Sequence, residues 1–260
     1  MAASLLALLG AIAIGLSLGL LGSGGSIITV PVLVYLLGQD EKVAIAGSLF
    51  VVGTIALAGS FQYVRAGLVD WRNVLVFGTP GMIGTYLGAL IAAFVPGIVQ
   101  LTFFSMVMLL ASYMMLRPVK LTDEVHAPRE TWKIATDGLL VGVITGLVGV
   151  GGGFLIVPAL VLFGGLAIHR AVATSLVIIA LKSYSGFYKY LDVLDTQNLE
   201  LDWQTLMIVT ALGIVGSFGG AKIARRVPQD KLKKGFGLFL IVMGVYILLR
   251  SIPQVMGLAT

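Results

Sequence analysis

Two clusters of glycine inside apolar sequence carry the residue types best placed to do chemistry. The first, Gly19 to Pro31, reads GLLGSGGSIITVP, and the second, Gly146 to Pro158, reads GLVGVGGGFLIVP. Gly22, Gly24 and Gly25 match Gly149, Gly151 and Gly152, and Pro31 matches Pro158. Glycine and proline at these places interrupt a helix, so each cluster predicts that one helical arm ends and another begins. A new helix start leaves up to about four backbone N–H groups without intrahelical partners. In lipid those groups need protein, water or a ligand. Glycine permits the positive-φ backbone of a tight N–H nest, and the positive end of the helix adds to its attraction for an anion. The predicted chemistry is oxyanion binding by Gly22, Ser23, Gly24, Gly25 and Ser26 together with Gly149, Gly151, Gly152 and Gly153, with Pro31 and Pro158 as structural hinges. The other use of such glycines is close helix packing. Neither cluster has the G-x-G-x-x-G spacing of a dinucleotide site or the Lys-Ser or Lys-Thr of a P-loop.

Ser48, Thr174 and Ser175 follow the clusters, early in the next apolar stretches. Their hydroxyls either donate to an anionic oxygen or bond a carbonyl of their own helix. Lys182 lies near the middle of its apolar stretch, where burying a charge costs about 2.5–3.5 kcal/mol. Three readings stand for it: a substrate contact, a structural or proton-linked charge, and a snorkelling side chain. Its counterpart in the other half is Ile55, so the repeat itself does not require a lysine. His169 matches Lys42, both at predicted helix boundaries, and Tyr63, Tyr190, Trp71 and Trp203 read as interface anchors. No catalytic residue is assigned, because His126 falls in a linker and His169 at a boundary, away from any serine that needs a base. With no cysteine and two histidines, no metal and no cofactor are expected. An Asp or Glu inside the membrane, the usual carrier of a coupled proton, is not expected either.

The elements that position these residues follow from a repeat. An offset of 127 residues pairs Gly15 with Gly142, Gly22 with Gly149, Ser48 with Ser175 and Tyr63 with Tyr190; an offset of 132 then pairs Trp71 with Trp203, Gly88 with Gly220 and Phe104 with Phe236. The hydrophobic fraction of 58%, the charged fraction of 11% and the mean hydropathy of +1.03 describe a polytopic membrane protein. The fold class expected is all-α, with two inverted-topology repeats, each a glycine-broken helical hairpin followed by three transmembrane helices. Residues 1–117 form the first repeat, 118–133 a cytoplasmic linker and 134–260 the second repeat. Within them the interrupted stretches run about 3–37 and 134–165, and single spans about 44–64, 73–95, 99–117, 171–190, 204–221 and 234–250. The first twenty residues lack a basic region ahead of their apolar run and are read as structure, not as a removed signal.

Basic residues concentrate in 65–72, 117–133 and 222–234, which places those connections in the cytoplasm, whereas 191–202 has acidic residues and no basic one. On that topology the hairpins enter from opposite sides and bring the glycine clusters together; their arms are partial or full crossings. Gly81, Gly84 and Gly88, and likewise Gly213, Gly216 and Gly220, have the spacing of a small-residue packing face. The net charge of +5 sits in connections and forms no patch with interleaved aromatics, so nucleic acid is excluded as a partner.

Gly22-Ser23-Gly24-Gly25 with Pro31, Gly149-Val150-Gly151-Gly152-Gly153 with Pro158, and His169-Arg170-Ala171-Val172-Ala173-Thr174-Ser175 resemble the pattern of the TauE/SafE sulfite exporter family, over nearly the whole chain. The resemblance implies a multi-pass protein of the bacterial inner membrane, a secondary transporter that exports sulfite or an organosulfonate such as sulfoacetate without hydrolysing ATP. The expected partners are a small anionic substrate and the lipid bilayer, with a proton or counter-ion as the coupling ion to be considered; the oligomeric state is left open. A passive anion channel is the alternative, and an intramembrane enzyme or accessory protein is the more distant one.

Overall fold

The computed structural model describes residues 2–21, 25–116, 130–150, 153–162, 165–224 and 229–255, and the regular structure among them is helical. In chain order the helices are α1 Ala2–Leu21, α2 Gly25–Pro31, α3 Glu41–Arg65, α4 Trp71–Asn73, α5 Thr79–Ala92, α6 Gly97–Leu116, α7 Thr131–Val148, α8 Gly153–Leu162, α9 Ile168–Thr196, α10 Trp203–Ala224 and α11 Gln229–Val255. A π-helical turn, Val32–Leu36, continues α2, and a second, Val74–Gly78, joins α4 to α5. Among the described residues five stretches are long and apolar enough to cross a membrane: Glu41–Arg65, Trp71–Ala92, Thr131–Val148, Arg170–Thr196 and Trp203–Ile223. The protein is an all-α polytopic membrane protein.

Local chemistry explains where several helices start. Asp40 caps α3 by accepting from Lys42 N–H at 2.9 Å, Asp70 caps α4 by accepting from Asn73 N–H at 2.9 Å, and Asp202 accepts from Thr205 N–H at 3.0 Å at the start of α10. Each carboxylate satisfies an N–H that the first helical turn leaves over. Both π-helical turns adjoin a proline. Pro31 directly precedes the first, and Pro80 lies in the first turn of α5 just after the second. Proline has no N–H to give the carbonyl four residues back, and a wider turn with i to i+5 bonds such as Leu37 N–H to Val32 O at 3.1 Å takes up the mismatch.

The two most enclosed helices, α3 and α9, pack on each other at the centre; around them α1 pairs with α10, α5 with α7, and α6 with α11. Glycine makes the α1–α10 and α5–α7 pairs close. A Cβ on Gly84 would run into Leu139 O, on Gly88 into Val143 O, and on Gly146 into Thr85 O; across the other pair, Gly15 would meet Gly213 O and Gly220 would meet Leu16 O. Of the small-residue faces expected from Gly81, Gly84, Gly88 and from Gly213, Gly216, Gly220, the positions Gly84, Gly88, Gly216 and Gly220 are backbone-to-backbone contacts, whereas Gly81 and Gly213 face the side chains of Lys182 and Ile55.

Helix bounds fall on the sequence offsets. Leu21 and Val148 end α1 and α7, and Glu41 and Ile168 begin α3 and α9, each pair 127 apart; Trp71 and Trp203, like Gly97 and Gln229, begin helices 132 apart. Two expectations need correction. Tyr190 is not an interface anchor but fully buried, because its hydroxyl has protein partners inside the bundle. The stretch 118–133 is not all linker: α7 already starts at Thr131, following Glu130, and 117–129 lie outside the described residues. Trp71 and Trp203 are exposed, as an interface anchor requires.

Candidate functional site

Gly22, Ser23, Gly24, Gly151 and Gly152 lie outside the described residues, as do the side chains of Pro158 and His169. The flanks of both clusters are described. Gly25 and Ser26 are buried at the start of α2, where a Cβ on Gly25 would meet Ile14 O and Leu18 Cβ of α1. Pro31 is buried inside α2. At the second cluster α7 ends on Gly149 in the left-handed conformation, φ +70°, and Val150 N–H turns back to Thr145 O at 3.2 Å. Only glycine suits this position, since a Cβ there would also collide with Ile45 Cγ2. Gly153 is buried at the start of α8, and α8 touches α2, so the second arms of the two broken stretches meet.

Side chains from three helices close off the carbonyl end of α7. The Ser48 hydroxyl of α3 donates to Gly149 O. Gln100 Nε2 of α6 donates to Leu147 O at 2.7 Å and to the Tyr190 hydroxyl at 3.0 Å, and Tyr190 of α9 donates in turn to Leu147 O at 3.3 Å. A hydroxyl has one proton, so the Ser48 proton is directed at carbonyls. Ser175 likewise donates to Val172 O at 2.8 Å, within its own helix. Thr174 Oγ1 accepts from Asp70 N–H at 2.9 Å, tying α9 to the connection before α4; Arg170 Nη2 stands 3.7 Å from the same aspartate's carboxylate.

Lys182 is fully buried and its Nζ has no hydrogen-bond partner among the described residues. The stem crosses α5 at Gly81, where a Cβ would come within 3.0 Å of Cδ and 3.3 Å of Cε. The ammonium lies 5.9 Å from the ring centroid of Phe77, in the second π-helical turn. This geometry removes snorkelling from the three readings of Lys182, because a snorkelling nitrogen reaches water. The repeat-related position is packed in the same way: Ile55 is fully buried, and a Cβ on Gly213 would meet its Cδ1 as one on Gly81 would meet the lysine stem. The structure brings Ser48 to Gly149 and sets Lys182 against Phe77 and Gly81.

Sequence reading missed Phe77, Gln100 and Asp137. Nothing in a one-dimensional pattern marks Phe77 among the other apolar residues of its stretch. Gln100 had a signal, as an amide within an apolar run needs partners. Asp137 corrects the expectation of no intramembrane acid: it sits in α7, within the span Thr131–Val148, and is partly buried. Lys42, read as interfacial, is buried instead and donates from Nζ to the carbonyl oxygen of Ala92, the last residue of α5, and, at 2.5 Å, to Val95 O in the turn that follows. A cation on the negative end of a helix is a stabilising contact.

Among the described residues no three His, Cys, Asp or Glu side chains group as a metal site. The family profile described as Sulfite exporter TauE/SafE matches residues 6–247. Relatives described as probable membrane transporter proteins include one from Xylella fastidiosa, 32% identical with 92% of each chain covered, and one from Haemophilus influenzae, 30% identical with 94% of this chain and 97% of the relative covered. A relative so described from Methanocaldococcus jannaschii is 26% identical over 92% of this chain and 94% of its own. No solved structure matches significantly. With the apolar helices, the closed glycine interfaces and these matches, the chain belongs to the TauE/SafE family, as a multi-pass membrane transporter of the cell membrane and not an enzyme.

Proposed function

We propose that the chain is a secondary transporter, working by alternating access, that exports a small sulfur-containing oxyanion: sulfite or an organosulfonate such as sulfoacetate. The observation that carries this reading is Lys182, a fully buried lysine whose Nζ has no hydrogen-bond partner among the described residues, in a position where the repeat-related residue is the apolar Ile55. Placing a lysine there costs about 2.5–3.5 kcal/mol even on the lenient insertion scale, and the repeat-related position holds an apolar side chain instead. The charge therefore has a use, and an anion is the complement it lacks. The glycine clusters enter this reading as the second source of anion donors, on the chemistry of their helix starts, and Ser48 holds the end of α7 at the second of them.

The architecture proposed is a pair of inverted repeats, 1–117 and 134–260. It is supported by helix bounds that recur at the sequence offsets, and by partnerships that interchange when one half is mapped onto the other: α1 with α10 becomes α7 with α5. Inverted repeats with broken helices are a common build of secondary transporters. Export is carried over from the family description.

The test is flux of radiolabelled sulfite and sulfoacetate in vesicles holding the purified chain. Saturable flux with counter-anion exchange, lost in Lys182→Ile, is the expected result. Absence of flux and binding for both anions and their relatives removes the substrate assignment, and large single-channel currents would make the protein a channel.

A further inference from the structure

We propose that Lys182 takes up a proton when the oxyanion binds and releases it when the anion leaves, so that proton and anion cross the membrane as a pair. The inference rests on the reading of Lys182 as the anion contact and adds the coupling ion to it.

The physical ground is that, among the described residues, no side chain hydrogen-bonds the buried Lys182 nitrogen. Helix α9 packs against α3, α5, α7, α8 and the π-helical turn Val74–Gly78. The ionisable groups on those elements are Glu41, Lys42, Tyr63 and Arg65 of α3, Tyr86 of α5, and Lys133 and Asp137 of α7; α8 and the π-helical turn have none. On α9 itself Arg170 pairs with Asp70, Lys189 with Asp192 at 2.9 Å, Tyr184 with Thr54 at 2.9 Å and Tyr190 with Gln100, and Tyr188, Asp192 and Asp195 complete the set of described side chains. None of these groups bonds Lys182 Nζ, which has the face of Phe77 beside it and no hydrogen-bond partner.

An ammonium so enclosed is unfavourable unless an opposite charge joins it, whereas a neutral amine fits the same space. A bound oxyanion supplies that charge. By linkage, the factor by which the anion strengthens proton binding equals the factor by which the proton strengthens anion binding. The step is balanced: one proton from water adds to the amine nitrogen as the anion enters, no bond in the anion changes, and the proton returns to water on the other side as the anion departs. The empty site reorients uncharged. For a monoanion the loaded site is neutral as well, so the membrane potential drops out and the sum of the anion gradient and the pH gradient sets the net direction, outward when the anion gradient is the larger.

The test uses the purified full-length chain with methanesulfonate and sulfoacetate, whose charges stay fixed between about pH 6 and pH 9. Calorimetry in buffers of different ionisation enthalpy counts protons taken up per anion bound. The expected result is uptake rising towards one proton per anion with increasing pH, and affinity falling about tenfold per pH unit once the free amine has lost its proton. Lys182→Arg, charged throughout, should bind without proton uptake and with affinity independent of pH. Lys182→Ile, the residue found at the repeat-related buried position 55, should lose binding while remaining folded, with the folded state checked by size exclusion. Anion binding to the unaltered chain with no proton uptake and pH-independent affinity overturns the coupling and leaves the transporter reading standing. No binding of methanesulfonate, sulfoacetate or sulfite to the unaltered chain overturns both.

Discussion

The hydroxyl of Ser48 in α3 donates to the carbonyl of Gly149, the left-handed residue that ends α7, and so joins a helix of the first half to the glycine cluster of the second. Ser48→Ala leaves that buried carbonyl without its donor, a change that costs about 1–3 kcal/mol. Thermal unfolding of the purified protein in detergent should show the loss as a lowered midpoint. Ser175→Ala, which removes a bond within its own helix, should change the midpoint much less.

Leu147 O has two donors, Gln100 Nε2 and the Tyr190 hydroxyl. Tyr190→Phe and Gln100→Leu each leave one donor in place and should each cost about 1 kcal/mol or less. Together they strand the carbonyl, so the double variant should be less stable than the sum of the singles by about 1 kcal/mol or more. A double-mutant cycle on chemical denaturation measures the coupling; additivity would mean that the two donors act separately.

Glycines of the closed helix pairs and glycines with free space should respond oppositely. Gly146→Ala drives a methyl group into Thr85 O and should reduce the yield of monodisperse protein sharply. Gly59 has nothing within 4 Å of an added Cβ, so Gly59→Ala should be neutral or stabilising by about 0.5–1 kcal/mol. Size-exclusion profiles of the two variants provide the comparison.

The two lysines of α9 should separate in transport. Lys182→Ala should reduce flux per folded protein about tenfold or more, because it removes the partnerless buried charge. Lys189 is bound to the exposed Asp192 at 2.9 Å, and Lys189→Ala should leave flux near that of the unaltered chain. Equal effects would remove Lys182 from the site.

Asp202, at the start of α10, is held below the usual carboxylate range by the Thr205 hydroxyl and by backbone N–H groups of Thr205 and Gln204. Its ionised form is the one the fold binds. The stabilisation is therefore fully present above about pH 4 and is lost as the pH falls through the lowered value. Asp202→Ala should lower stability by about 0.5–1 kcal/mol at neutral pH and flatten the acid limb of the stability profile.

The parts of the molecule legible in sequence were those in which glycine and proline leave a signature. The offsets predicted matching helix starts, and Gly84, Gly88 and Gly220 predicted contacts that the structure makes between backbones. Lys182 was legible as a charge in an apolar run, but its neighbour Phe77 was not, because choosing one phenylalanine among many requires knowing which turn of α5 faces α9. Tyr190 was misread for a related reason. Its place near the end of an apolar stretch suggested lipid headgroups, whereas α9 continues to Thr196 and carries it inside.

The glycine contacts also define which parts of the protein can move. Where a carbonyl of one helix occupies the place of the other's missing side chain, the two helices cannot slide without lifting apart, so α1 with α10 and α5 with α7 each behave as one stiff body. Each body takes one helix from either side of the linker. The stiff pairs therefore cut across the order of the chain: any motion of one pair against the other carries helices from before residue 117 and from after residue 130 in each moving piece.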